Sequence, residues 1–99
     1  MRLPAIDPEA RKVLQSMAAA ERLEVIADLG ELEAAGTDPM FVATEFGVAV
    51  DGSDEEIFVT RAGRRGRWWV YWRLLPRDPP PLRHVHVLVI EPAPPLPIL

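Results

Sequence analysis

Apolar residues recur at helical spacing through the first third of the chain, first at Ala10, Val13, Leu14 and Met17, then at Leu23, Val25, Ile26, Leu29 and Leu32. The first set follows Asp7-Pro8-Glu9, which offers a carboxylate to cap free amides, a proline suited to the first helical position and a negative charge at the positive end of the helix dipole. A helix of about three turns is predicted there. The run Ala18-Ala19-Ala20-Glu21 either continues this helix or turns a corner into a second one, and a helical hairpin is the preferred reading. Gly36 is a natural stop. Gly30, inside the second helix, costs about 1 kcal/mol relative to alanine and implies close packing or a local irregularity.

Beyond Thr37-Asp38-Pro39 the period changes. Short apolar runs, Met40 to Ala43 and Phe46 to Val50, end at the turn signal Asp51-Gly52-Ser53 and read as a connecting region. Glu56 to Arg61 is a predicted strand with Ile57 and Val59 on one face and Phe58 and Thr60 on the other. Ala62 to Gly66, with two glycines, supplies a hairpin turn. In the following strand, Arg67 to Leu75, the residues Trp68, Val70, Trp72 and Leu74 share one face, and Trp69, Tyr71, Arg73 and Leu75 share the other. Pro76 to Pro81 is loop, because consecutive prolines donate nothing to a ladder. His84 to Ile90 is a third strand, nearly continuously apolar after its histidines and therefore central or covered on both faces. The expected fold is α+β: two N-terminal helices packed on a small antiparallel sheet of three to four strands, forming one domain over residues 1–91, with residues 92–99 as an extended proline-rich tail.

Composition narrows the class. Ninety-nine residues, 48% apolar and 26% charged, suffice for one modest core and do not match a disordered chain. The absence of cysteine removes disulfides, thiolate zinc sites and cysteine nucleophiles. No apolar run reaches the ~18 residues of a membrane span, and Met1 to Asp7 lacks a signal-peptide stretch, so a cytoplasmic protein without membrane partners is expected. The net charge of −4 conceals a split. Residues 1–60 carry four basic and thirteen acidic side chains, whereas residues 61–86 carry seven arginines against Asp78 alone. A local positive field of that kind attracts phosphate even in an acidic protein. The plainer alternative is that the two halves neutralise one another across the fold.

Arg61, Arg64, Arg65 and Arg67 surround the hairpin, with Arg73 farther along. Guanidinium groups offer planar two-point donors to phosphate, and Trp69 and Tyr71 can stack on bases or on the guanidiniums themselves, a combination suited to RNA. Core packing of the tryptophans and a solvated arginine turn are the structural alternatives. His84 and His86 lie two apart and so point to one face of a strand, where they can serve as general base and acid, as metal ligands, or in neither role. A third metal ligand is missing locally, and the cluster Asp51, Asp54, Glu55 and Glu56 does not follow a calcium-loop spacing. No glycine-rich phosphate loop, nucleophile elbow or His-Glu-x-x-His segment occurs, and no cofactor is expected.

The order of these elements resembles the RelE/ParE toxin superfamily, with Arg2 to Ile6 as its short first strand, residues 7–14 as its opening helix and Ala20-Glu21-Arg22-Leu23 in its second. Residues 56–61 resemble its strand leading to a functional arginine, residues 66–73 its aromatic and arginine-bearing strand, and residues 85–90 its closing strand. The resemblance implies the toxin of a type II toxin–antitoxin pair, acting on RNA or the ribosome and silenced by an antitoxin, with Arg61, Arg67 or Arg73 stabilising phosphate charge and His84 or His86 moving the proton. The chain departs from the family pattern in its one lysine, Lys12, in the inverted pair Arg67-Trp68, and in the end Glu91-Pro92-Ala93-Pro94-Pro95, which replaces a basic, often tyrosine-bearing segment. These departures leave the catalytic set incomplete. A non-catalytic interaction or regulatory module, ParE-like or derived from a mobile element, is the alternative, and the sequence is silent on oligomeric state.

Overall fold

The computed structural model describes residues 2–36, 47–49, 56–78 and 83–94. A two-residue strand, β1 (Ala5–Ile6), leads into α1 (Pro8–Ser16) and α2 (Ala19–Gly36), followed by β2 (Gly47–Ala49), β3 (Glu56–Ala62), β4 (Trp68–Pro76) and β5 (Arg83–Pro92). The strands form one sheet in the order β1-β5-β4-β3-β2. Every pairing is antiparallel except β1 with β5, which is parallel with Ala5 opposite His86 and Ile6 opposite Val87. The α+β class and the N-terminal helical pair agree with the sequence reading. The sheet is larger and mixed: β1 adds a parallel edge, and β2 emerges from the stretch read as a connection. Met40 to Ala43, Asp51-Gly52-Ser53 and Pro79 to Pro81 lie outside the described residues.

The helices form a hairpin. After α1 the chain turns extended at Met17, and Arg22 of α2 reaches back to donate from Nε to the Leu14 carbonyl at 3.1 Å and from Nη2 to that of Met17 at 3.1 Å. Carbonyls that a helix end leaves without partners are thereby satisfied by the next helix. Gly30 is buried within an uninterrupted α2. Leu23, expected on the apolar face, is instead 68% exposed, and Val25, Leu29 and Leu32 make the contact with the sheet.

The core lies between the helices and one sheet face. Trp72, Val70, Val85 and Val87 from the strands meet Val25 and Leu29 from α2, all at 1% exposure or less. Trp72 stacks on Phe58 with ring centroids 4.6 Å apart, and its indole N–H donates to Thr60 Oγ1 at 2.9 Å, so the apolar body and the polar edge are both accommodated. Two carboxylates of α2 bind main-chain amides of the sheet and its hairpin turn: Asp28 Oδ2 accepts from Gly63 N–H at 2.7 Å and Glu33 Oε2 from Val85 N–H at 2.9 Å. Glu33 is buried and lies 3.8 Å from the Arg2 guanidinium. β1 is too short to pair with all of β5, and Glu33 supplies the acceptor that Val85 lacks there.

A turn of 3₁₀ geometry, Arg64–Gly66, joins β3 to β4. It needs left-handed backbone at Gly63, Arg65 and Gly66, with φ of 80°, 59° and 62°. An added Cβ at Gly63 would also meet Trp68 Cδ1 at 3.1 Å and Val25 Cγ2 at 3.2 Å. Gly63→Ala is therefore expected to destabilise the fold by about 1–3 kcal/mol, read as a lowered denaturant midpoint with an unchanged slope.

Candidate nucleic-acid interface

Alternation along the strands divides the sheet into a helix-covered face and a second face on which, among the described residues, no helix lies. The second face carries Arg61 on β3, Trp69, Tyr71 and Arg73 on β4, and His84 and His86 on β5. Trp69, Tyr71 and Arg73 therefore do share one side, and Trp68 and Trp72 belong to the core or its margin, as their spacing predicts. A bulge at Tyr71/Trp72 leaves Leu88 between the partners of these two residues. It resets the alternation of β5, sending Ile90 into the core and bringing Val89 and Glu91 to the helix-free side.

At one end of this face Arg61 is held by partners within the protein. Its guanidinium carbon stands 4.1 Å over the centre of the Trp69 ring, and Nη1 donates to the carbonyls of Gly66 at 2.9 Å and Pro94 at 2.6 Å. A cation over an aromatic face with two carbonyl acceptors is a satisfied arrangement that ties hairpin to tail. The tail itself departs from its expected boundary: β5 runs through Pro92, and Ala93 N–H donates to the Arg67 carbonyl at 2.7 Å. Arg64, Arg65 and Arg67 are exposed around the turn.

At the other end stand Arg73 and His86, directly opposite one another across β4 and β5. Arg73 Nε lies 3.1 Å from His86 Nδ1, and His86 Nε2 lies 2.7 Å from Asp7 Oδ1. An arginine Nε can only donate and a carboxylate can only accept, so Nδ1 is the unprotonated nitrogen and Nε2 carries the proton. His86 is 14% exposed and Asp7 42%, which leaves this chain at the surface but shielded along the ring. His84 is half-buried on the same face, opposite Leu75. Arg77 directly follows β4, and Arg83 opens β5 opposite Pro76, in the register of the helix-side residues Val85 and Val87.

The arginines consequently form two basic poles. Trp69, under Arg61, and Arg73 are four positions apart along β4, or about 13 Å at strand rise. Tyr71 lies between the poles, its hydroxyl donating to Glu91 Oε1 at 2.7 Å. That hydrogen bond, with partial burial and the charge of Glu91 adding to it, raises the Tyr71 phenol above its ordinary value of 10.0. The folded state binds this proton more tightly than the unfolded chain, so the associated stability is present below pH 10 and is lost as pH rises through the raised value. Glu91→Gln is expected to bring phenolate formation at Tyr71 back toward its ordinary pH, followed by near-ultraviolet absorbance.

Sequence reasoning missed Asp7 and Glu91 as members of this face. Asp7 reads locally as a helix cap, yet its side chain makes no capping hydrogen bond. It reaches His86, 79 positions away, only because β1 runs parallel beside β5, with Asp7 N–H donating to the Val87 carbonyl at 2.9 Å. Among the described residues no group of three His, Asp or Glu side chains is placed to hold a metal ion, and no helix is long and apolar enough to cross a membrane.

Fold and site together define an α+β domain with paired helices on one side of a mixed sheet and an arginine-, histidine- and aromatic-bearing surface on the other. No protein-family model, curated protein or solved structure matches the chain.

Proposed function

We propose that this chain is the toxin-like component of a type II toxin–antitoxin pair, a cytoplasmic protein that acts on RNA and translation through the helix-free face of its sheet. The observation that carries this reading is the gathering of Arg61, Trp69, Tyr71, Arg73, His84 and His86 on that one face. Phosphate groups suit the guanidiniums of both poles, including Arg64, Arg65 and Arg67 at the turn, and bases suit the aromatic surface between them. If the RNA is cleaved, as in ribosome-dependent endoribonucleases, Arg73 stabilises charge developing on the phosphate and His84, on the same face, moves the proton, because Arg73 and Asp7 already engage both ring nitrogens of His86. Arg61 is better suited to shaping the hairpin, because Gly66, Pro94 and Trp69 already hold it. An antitoxin segment that covers this face would silence the protein.

The internal engagement of Arg61 and of the Tyr71 hydroxyl favours one second reading, a non-catalytic module that binds a protein partner. Controlled expression in bacterial cells separates the two. Growth arrest with shortened messages supports the RNA-directed reading, arrest with intact messages supports the non-cleaving one, and unimpaired growth with undisturbed translation overturns the toxin assignment.

A further inference from the structure

We infer that Glu91 is a specificity-determining residue, whose carboxylate, held by the Tyr71 hydroxyl, accepts the adjacent N–H groups of a guanine base lying on the Tyr71 ring. The inference rests on the reading of this face as RNA-directed and adds to it the base that the face selects.

Tyr71 pairs with Val89 and Trp69 with Glu91, so Glu91 is the diagonal neighbour of Tyr71 across β4 and β5. The hydroxyl donates to Oε1 at 2.7 Å across that diagonal. The tyrosine side chain therefore lies along the sheet, not off it, and turns one ring face to the helix-free side. Val59 on β3 and Val89 on β5, the latter 44% exposed, flank the ring in the same row, so the surface offered to a base is apolar. Stacking on such a ring tolerates every base, and selection among bases falls to hydrogen bonds at the base edge.

Glu91 stands at that edge. A carboxylate repels phosphate, so the part of an RNA strand that meets it is a base. Ionised, it only accepts, and its two oxygens offer about four lone-pair sites, of which the Tyr71 hydroxyl takes one. The residue is exposed, and among the described residues no other hydrogen bond or ion pair engages its side chain.

Two acceptor oxygens side by side complement two donors side by side. Guanine presents that pair on its pairing edge, as N1–H and the N2 amino group. Adenine and cytosine set an acceptor beside their amino group, and uracil flanks its single N–H with two carbonyls, so each brings an acceptor against the carboxylate. The Tyr71 hydroxyl serves to fix the carboxylate before the base arrives, which keeps the orientation from being lost to side-chain freedom.

The test uses the full chain, isotope-labelled, with uridine-flanked trinucleotides that carry equal phosphate charge and differ only in the central base. Central guanine should bind about tenfold or more tightly than adenine, cytosine or uracil, the discrimination of one two-point contact, and should move the Tyr71 and Glu91 side-chain signals. Central hypoxanthine, which keeps N1–H and lacks the amino group, should fall between. Glu91→Gln should transfer the preference from guanine to adenine, because an amide sets one donor beside one acceptor. Tyr71→Phe, which retains the ring and frees the carboxylate, should reduce the guanine preference more than the overall affinity. Unchanged thermal unfolding of both variants shows that the fold is kept. Equal binding of the four bases, or a guanine preference that survives Glu91→Gln, would overturn the assignment and leave the RNA-directed reading in place. Growth arrest, scored separately in cells, tests the toxin reading: guanine preference without arrest retains the base site and removes that reading.

Discussion

Trp72→Ala is expected to lower the free energy of unfolding by about 3–5 kcal/mol, a large part of the stability of a domain this small. The side chain is wholly buried, stacks on Phe58 and spends its indole N–H on Thr60 Oγ1, so truncation removes apolar contact, opens a cavity and leaves a hydroxyl without its donor. Trp72→Phe should recover the stack and lose chiefly the hydrogen bond, at about 1–3 kcal/mol. Urea denaturation followed by tryptophan fluorescence and by circular dichroism measures both. Equal midpoints for the wild type and Trp72→Ala would remove this side chain from the centre of the fold.

The second large effect concerns function. Under the proposed function, Arg73→Ala should reduce activity on RNA about 100-fold or more, the usual loss when a preorganised donor to developing phosphate charge is removed. Arg61→Ala should act differently. Its guanidinium joins the hairpin to the tail through Gly66 and Pro94, so the expected loss is mainly of stability. Message integrity in a translating extract, together with thermal unfolding of each variant, tells these outcomes apart. Equal losses of activity from Arg61→Ala and Arg73→Ala, with both variants fully folded, would contradict this division of labour.

The parts of this arrangement that could be read from the chain are those governed by local periodicity. Alternation from Trp68 to Leu75 separates the core residues Val70 and Trp72 from the surface residues Trp69, Tyr71 and Arg73, and the structure keeps that separation. Helical spacing locates Val25, Leu29 and Leu32 correctly but adds Leu23, because a broad apolar stripe does not say how far a flat sheet reaches around a helix. Residues joined by long-range pairing were not legible. Asp7 meets His86 through the parallel alignment of β1, Glu33 meets Val85 because β1 begins only opposite His86, and Glu91 meets Tyr71 because a bulge resets β5. Each depends on a register between distant strands, which has no signature in the residues concerned. The arginines illustrate the same limit. Their crowding between positions 61 and 83 suggests a single basic patch, yet a strand runs between its members and separates them into two poles.

That separation alters the expected mode of contact. Under the proposed function, a ligand carrying a single phosphate engages one pole, whereas a strand of RNA reaches both while its bases cross Tyr71 between them, Trp69 being covered by Arg61. The proposed function turns on which surface meets RNA, and titration of isotope-labelled protein with a short single-stranded RNA reads that surface. Signal changes are expected at Trp69, Tyr71, Arg73, His86 and the Arg64–Arg67 turn, with the helical residues Glu24 and Glu31 unmoved. Changes confined to the helical face, or none at all at RNA concentrations that saturate known RNA-binding domains, would contradict it.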